Sequence, residues 1–424
     1  MVRHFGLAIG LTLAAGCSLA TIPNGVVLCS SGTCPSGFAC EADGRCWQLG
    51  TGPDAGPPVD GGKPDAGPGD AGNDGGADAG SDGSSAFDCG ITDAGGCVIC
   101  STDGVFPDLL YPRWGLGGVY LKQTNGSETF DRVYAVGGFD PSGTETSSVQ
   151  LDELDTGNAW SPVGNANLTP RSFFSVVSNA FIGLIAFGGE DLTTGMVLGD
   201  TVIFPSDVAP IPTSGWVEAS PVLLQPRENH AAVVEANGGA VITCGGSAEG
   251  IPLGTCETLS LETDLDGGWE EGPQLVYERD GLSMALGSDG NVYAFSGSGS
   301  NPTGLTNWEM LGTDGGWGCP GTCPQMNSGH VFGAAVAVGT KIYVMGGVAE
   351  PADQTSNNTV EYIDVTNLAA GWQEVAGMLT ARAYFAAVAT PEGTIRVFGG
   401  HGGPLNSCTI ANVEEYSPSS NTWR

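Results

Sequence analysis

Six times between Leu110 and the C-terminus, a short apolar run ends in a pair of small residues. The copies are Val133-Tyr134-Ala135-Val136-Gly137-Gly138, Leu184-Ile185-Ala186-Phe187-Gly188-Gly189 and Val241-Ile242-Thr243-Cys244-Gly245-Gly246. Then come Val292-Tyr293-Ala294-Phe295-Ser296-Gly297, Ile342-Tyr343-Val344-Met345-Gly346-Gly347 and Ile395-Arg396-Val397-Phe398-Gly399-Gly400, the fourth with Ser in place of the first Gly. A Trp stands some 20 to 27 residues beyond each pair: Trp160, Trp216, Trp269, Trp317, Trp372 and Trp423. The period is about fifty residues, the length of one supersecondary unit that cannot bury both its faces alone. Such units must pack on one another, so the repeat dictates an array.

Each unit reads as four short antiparallel strands. The first follows an Arg or His, as in Arg382-Ala383-Tyr384-Phe385-Ala386-Ala387-Val388, and the second ends in the Gly pair. Turn signals fall between them at Asn237-Gly238-Gly239, Ser288-Asp289-Gly290-Asn291 and Glu392-Gly393. Seventy Gly, 26 Pro and only 14% charged residues suit short strands and exclude coiled coils and most helical bundles. With Val360-Glu361-Tyr362 and Val413-Glu414-Glu415-Tyr416 added, residues 110 to 424 closely resemble the kelch repeat family. The resemblance implies an all-β, six-bladed kelch-type β-propeller whose first strands surround a central axis. Arg113 and Trp423 bracket six whole repeats, and Val105 to Leu110 would add an edge strand if the ring closes through its N-terminal flank.

The N-terminus reads as an export signal. Arg3 and His4 precede an apolar run from Phe5 to Ala15, then Gly16 and Cys17. Leu13-Ala14-Ala15-Gly16-Cys17 resembles the bacterial lipobox, which implies a signal peptide over 1–16 and lipidation at Cys17. No later run reaches transmembrane length, so the membrane would be met through the lipid anchor only. Thirteen Cys favour an oxidising compartment, and lipidation of Cys17 leaves an even twelve to pair. Residues 17–48 form a small cystine-rich module in which Cys29, Cys34, Cys40 and Cys46 make two disulfides, with three pairings open. Zinc would call for Cys-x-x-Cys pairs that this module lacks. Residues 49–87, rich in Asp, Gly, Pro and Ala, cannot offset backbone entropy and read as a disordered stalk. Their irregular Asp spacing offers no calcium loop. Stalk and module together resemble envelope lipoproteins of predatory or social deltaproteobacteria, which implies a bacterial cell-envelope location.

In the propeller, residues 88–424, Cys244 and Cys256 would bridge a hairpin, and Cys319 and Cys323 would staple one loop. Cys89, Cys97, Cys100 and Cys408 then pair among themselves, tying the N-terminal flank to the sixth blade.

A net charge of −34 with 13 cationic residues argues against nucleic acid. Copper radical oxidases of kelch architecture use a site with two His and two Tyr, but His230, His330 and His401 have no metal-ligand spacing here. His230 and His330 read as equivalent positions at the start of a first strand. No Gly-x-Ser-x-Gly elbow is present. A kelch-type sialic-acid mutarotase or epimerase would need a tuned acid or base, for which Glu190, Glu249 and Glu350, just beyond the small-residue pairs, are the candidates. Arg113, Arg171, Arg227, Arg279 and Arg382 precede five of the first strands, with Asn327 in that place in the other repeat. They form either a ring that binds carboxylate or sulfate groups, or a ladder paired within the scaffold. The expectation is a monomeric, non-catalytic module without metal or cofactor, binding a protein or a glycan. Its alternatives are a carbohydrate-active propeller and a structural envelope spacer.

Overall fold

The computed structural model describes residues 38–40, 46–48, 97–101 and 105–424, the last span without 126–127, 155–158, 164–167, 206–214, 263–264, 266, 300–305, 313–314, 320–322, 350–354 and 403–407. Residues 1–85 and 86–424 form separate compact units. In the first, Phe38–Cys40 pairs antiparallel with Cys46–Gln48, setting Cys40 opposite Cys46. Cys17, Cys29, Cys34, the expected signal peptide, the stalk, Cys89 and Glu350 lie outside the described residues. No helix among the described residues is long and apolar enough to cross a membrane.

The second unit holds six four-stranded antiparallel sheets. Blade 1 runs through Gly117–Asn125, Glu128–Val136, Val149–Glu153 and Ser161–Pro162. Blades 2 to 6 open on Ser175–Asn179, Ala231–Val234, Ser283–Leu286, Ala334–Val338 and Ala386–Ala389. These opening strands touch in sequence around the ring, and that of blade 6 meets that of blade 1. The result is a closed six-bladed β-propeller.

Six separate cores lie between the blades. Tyr134, Leu151 and Val202 fill one, Ile185, Val241 and Leu259 the next, and Phe398, Val133 and Leu116 the gap between blades 6 and 1. The repeated Trp serves this packing by reaching back to the preceding blade. Trp160 meets Phe398 at 5.2 Å, Trp269 meets Phe187 at 4.7 Å and Trp372 meets Phe295 at 5.6 Å. The indole Nε1 of Trp317 donates to Pro273 O, and that of Trp423 to Ala376 O. A flat ring is the right shape for a gap between twisted sheets, which explains why one Trp recurs per unit.

The Gly pairs are the joints of the ring. The N–H of Gly138, Gly189, Gly246, Gly347 and Gly400 donates to the carbonyl of the Arg opening the next blade, at 2.7–2.9 Å. The first Gly sits at positive φ with that same carbonyl only 2.7–2.8 Å from where a Cβ would be. A side chain there would collide with backbone. Ser296 is the exception, at φ +57, and its hydroxyl accepts the N–H of His330 at 2.9 Å. The Ser departure thus makes a contact of its own with the blade that also lacks an Arg.

Each blade is built from contiguous chain, so no strand is exchanged to lock the ring. The N-terminal flank does this work instead. Cys97–Ile99 pairs parallel with Cys408–Ile410, a disulfide joins Cys97 to Cys408, and Leu109 N–H donates to Ala411 O. Val105 to Leu110 is not the edge strand expected; the pairing segment lies earlier in the chain. Arg396 in blade 6 also reaches Asp152 in blade 1 at 2.6 Å. Further disulfides join Cys244 to Cys256, directly opposite one another on adjacent strands, and Cys319 to Cys323. Cys100 is disulfide-bonded as well.

Candidate functional site

First strands begin and second strands end on the same side of the ring, so the Arg residues, the Gly pairs and the loops after them share one face. Two residues beyond each opening cation, Gly115, Phe173, Asn229, Gly281, Phe332 and Tyr384 all take positive φ. Each N–H donates to the carbonyl of the equivalent residue in the preceding blade: Phe173 to Gly115, Asn229 to Phe173, and so on to Gly115 and Tyr384, at 2.8–3.1 Å. Six backbone hydrogen bonds thus form a closed hoop around the axis. Alignment on this hoop places His330, not Asn327, where the other blades have Arg. It also sets His230 three residues beyond that position, so His230 and His330 are not equivalent.

The five arginines do not present a ring to a ligand. All are buried, and each guanidinium donates into its own blade. Nη1 reaches the carbonyl of the first residue of the small pair: Gly137, Gly188, Gly245, Ser296 and Gly399. Nη2 reaches a third-strand carboxylate in four blades, Asp200, Glu257, Glu309 and Glu414. Arg113 has Ser148 instead, and burial draws its pKa down to about 10. His330 substitutes in kind, with Nδ1 donating to Gly346 O at 2.7 Å and Nε2 facing Glu361 at 3.2 Å. Glu257, Glu309, Glu361 and Glu414 also accept N–H groups of the incoming loop, such as Leu379 and Thr380 on Glu414. In those four blades the clamp therefore ties the loop, the first strand and the third strand together. The scaffold alternative for these arginines is the one realised.

Inside the hoop the axis is stoppered. Phe173, Tyr384 and Phe332 meet ring to ring, at 5.5 and 4.3 Å. Phe173 lies over Gly115 and Phe332 over Gly281, where a Cβ would meet the rings at 3.0 and 2.4 Å. The axial cavity holds only about 100 Å³. Trp114 stacks on Phe139 at 4.4 Å and on His401 at 4.5 Å, extending the aromatic patch across blades 6 and 1. Burial pushes His401 down to about 4 and His230, packed beside Phe187, down to about 3, so neither is a cation at neutral pH.

Acidic groups occupy the other half of this face. Burial, then the neighbouring Glu228 carboxylate, pushes Glu190 up to about 7. Burial raises Asp280 to about 6, with Glu228 adding to the shift. Glu145 is raised by burial too, although Ser172 Oγ and Leu192 N–H donate to it at 2.6 and 2.8 Å. Glu190, one of the three sequence candidates, therefore does reach the mouth, while Glu249 stands at a hairpin tip. No group of three or more His, Cys, Asp or Glu among the described residues is placed to hold a metal. Glu228 and Asp280 escaped sequence reasoning because only the hoop brings Glu228 beside Glu190 and Asp280 beside Glu228.

The raised Glu190 has a stability consequence. A carboxyl whose folded pKa exceeds its unfolded value near 4.5 stabilises below that value, and this is lost as pH rises through about 7. Glu190→Gln keeps the neutral form at every pH. Its melting temperature should match wild type near pH 5 and exceed it increasingly towards pH 8; a constant difference across that range would refute the assignment.

Two hairpins rise from this face. After the Gly pair of blade 2, Glu190–Asp191 pairs with Met196–Val197; in blade 3, Ser247–Ala248 pairs with Ile251–Pro252. The second turns through Glu249 and Gly250, both at positive φ, the geometry of a tight two-residue turn. Between them opens a groove of about 830 Å³ lined by Met196, Val197, Pro226, Ile251 and Leu253 with Gln225 and Glu249 at its sides.

A family model for the kelch motif matches residues 331–369 and 382–424, which are blades 5 and 6. None of the curated proteins compared matches the chain. The solved structure of YjhT is similar to it with a TM-score of 0.56 at 14% identity, over 76% of this chain and 100% of that one. Likeness at that identity speaks for the fold, and with the kelch motifs in two blades, six four-stranded sheets and the same glycine joint at five of the six blade boundaries, this chain folds as a six-bladed kelch-type β-propeller.

Proposed function

We propose that the chain is a non-catalytic recognition module that holds a protein or glycan on its loop face, tethered to a bacterial envelope through lipidated Cys17 and the stalk over 49–87. One observation carries the binding reading. The axial cavity, at about 100 Å³, has room for a few waters, whereas the groove between the hairpins, at about 830 Å³, falls in the range of ligand sites. The hairpins are additions to the minimal blade, and their tips carry exposed Leu192, Met196 and Ile251. Exposed apolar side chains gathered around a groove favour contact with a partner over solvent. The lipid anchor is supported by the residues before Cys17 alone and is tested by metabolic labelling with a fatty acid in wild type and Cys17→Ser.

Glycan and peptide arrays probed with wild type and with Met196→Asp combined with Ile251→Asp test the location. Binding that the double variant loses supports the groove. Binding that survives there but disappears in Trp114→Ala would move the ligand to the aromatic patch on the axis. A second reading, a carbohydrate-active propeller, is favoured by one feature: Glu190, held near pKa 7 beside Glu228, suits proton transfer to a sugar. Sugar turnover by wild type that Glu190→Gln abolishes while leaving binding intact would establish that reading instead.

A further inference from the structure

The composition around the groove restricts what can enter it. From Ser172 to Glu278, the span of blades 2 and 3, there are fifteen Asp and Glu and a single cation, Arg227. That one is fully buried and paired with Glu257 at 2.7 Å, so it contributes nothing to the surface. The same holds more widely, because the ring draws seven of the chain's arginines into its interior. Using Arg as an internal clamp strips the exposed face of positive charge and leaves its carboxylates unopposed.

The shape restricts it further. Gln225 also lines a second hollow of about 210 Å³, walled by Leu224, Thr255 and Glu271. The lining of the groove is mainly apolar, with exposed Glu249 beside it, and exposed Glu271 lines the hollow next to it. An apolar groove with one carboxylate beside it and another in the adjoining hollow matches an extended chain with an apolar residue between cationic ones. Met196 and Ile251, 62% and 66% exposed, would be covered by such an occupant.

We infer that this groove receives an extended segment of a partner protein in which an apolar side chain is flanked by Lys or Arg. The inference rests on reading the groove as the binding site. Apolar burial supplies affinity, and Glu249 and Glu271 supply orientation and a salt-sensitive association rate.

The test uses full-length protein and two fluorescent peptides, Gly-Lys-Lys-Ile-Leu-Lys-Lys-Gly and its counterpart with Glu for every Lys. Fluorescence anisotropy should show the basic peptide binding and the acidic one not, with affinity falling several-fold between 50 and 300 mM salt. Met196→Asp with Ile251→Asp should weaken binding at least tenfold. Glu249→Lys with Glu271→Lys should do the same without touching the apolar lining, which guards against a misfolded first variant. Phe181→Asp, at a 93% exposed position on a turn of the opposite face, should change nothing. Equal binding of the acidic peptide, lost in the Met196/Ile251 variant, would overturn the charge assignment and leave the groove as the site. Basic-peptide binding indifferent to both double variants would overturn the groove itself. Binding of neither peptide would overturn the inference, while array ligands lost in the Met196/Ile251 variant would still uphold the site.

Discussion

Arg382→Ala should destabilise the propeller by about 3–5 kcal/mol, among the largest losses any single substitution here will cause. The reason is what the guanidinium leaves behind. Glu414 is 2% exposed and would remain a buried carboxylate without its cation, and the Gly399 and Asn412 carbonyls would lose a donor. Arg227→Ala and Arg279→Ala should cost similar amounts, since Glu257 and Glu309 are each 3% exposed. Arg171→Ala should cost about 2 kcal/mol, because Asp200 is 40% exposed and can take up water when its partner goes. Arg382→Lys should recover only part of the loss, as one ammonium cannot reach both the carbonyls and the carboxylate that the fork spans. Chemical denaturation of the four alanine variants checks the order. If Arg171→Ala proved as damaging as Arg382→Ala, carboxylate burial would not be what sets the cost.

The second large effect concerns ring closure. Breaking the Cys97–Cys408 bond by Cys97→Ser with Cys408→Ser should lower stability by about 3–5 kcal/mol. The bond spans 311 residues, and cross-linking so long a loop removes much of the freedom of the unfolded chain. It also holds the parallel pairing of Cys97–Ile99 with Cys408–Ile410 at the seam where blade 6 meets blade 1. A propeller that exchanges no strand between its first and last blades depends on such a strap. Removing the Cys319–Cys323 bond, which spans only four residues, should cost much less by the same argument. Unfolding midpoints of the two serine pairs, compared with disulfide-intact wild type under non-reducing conditions, decide the matter. Equal midpoints for the Cys97/Cys408 pair and wild type would mean that Arg396–Asp152 and the interblade core close the ring unaided.

Much of the propeller was legible because its constraints are local and repeated. A strand that ends where neighbouring backbone passes within 3 Å needs Gly, and a gap between twisted sheets needs a flat ring, so both recur at the fifty-residue period. The Cys244–Cys256 and Cys319–Cys323 bridges followed from proximity in sequence. The arginines were visible as a pattern, but their role was open: a residue that repeats around an axis can face the axis or turn into its own blade. Burial decided it, and burial is a property of the assembled ring. His330 was misplaced onto Asn327 because the loop before it carries no anchor in sequence, whereas the hoop of backbone hydrogen bonds aligns it without ambiguity. The acidic mouth and the groove were hidden for a further reason. Glu190, Glu228 and Asp280 come from three different blades, and the hairpins after Gly189 and Gly246 are separated by more than fifty residues. By itself the sequence determined the repeat, the blade count and the joints, since these are imposed within one unit. Only the tertiary structure decided which charges are spent inside and which remain outside, because that depends on how six units close around one axis.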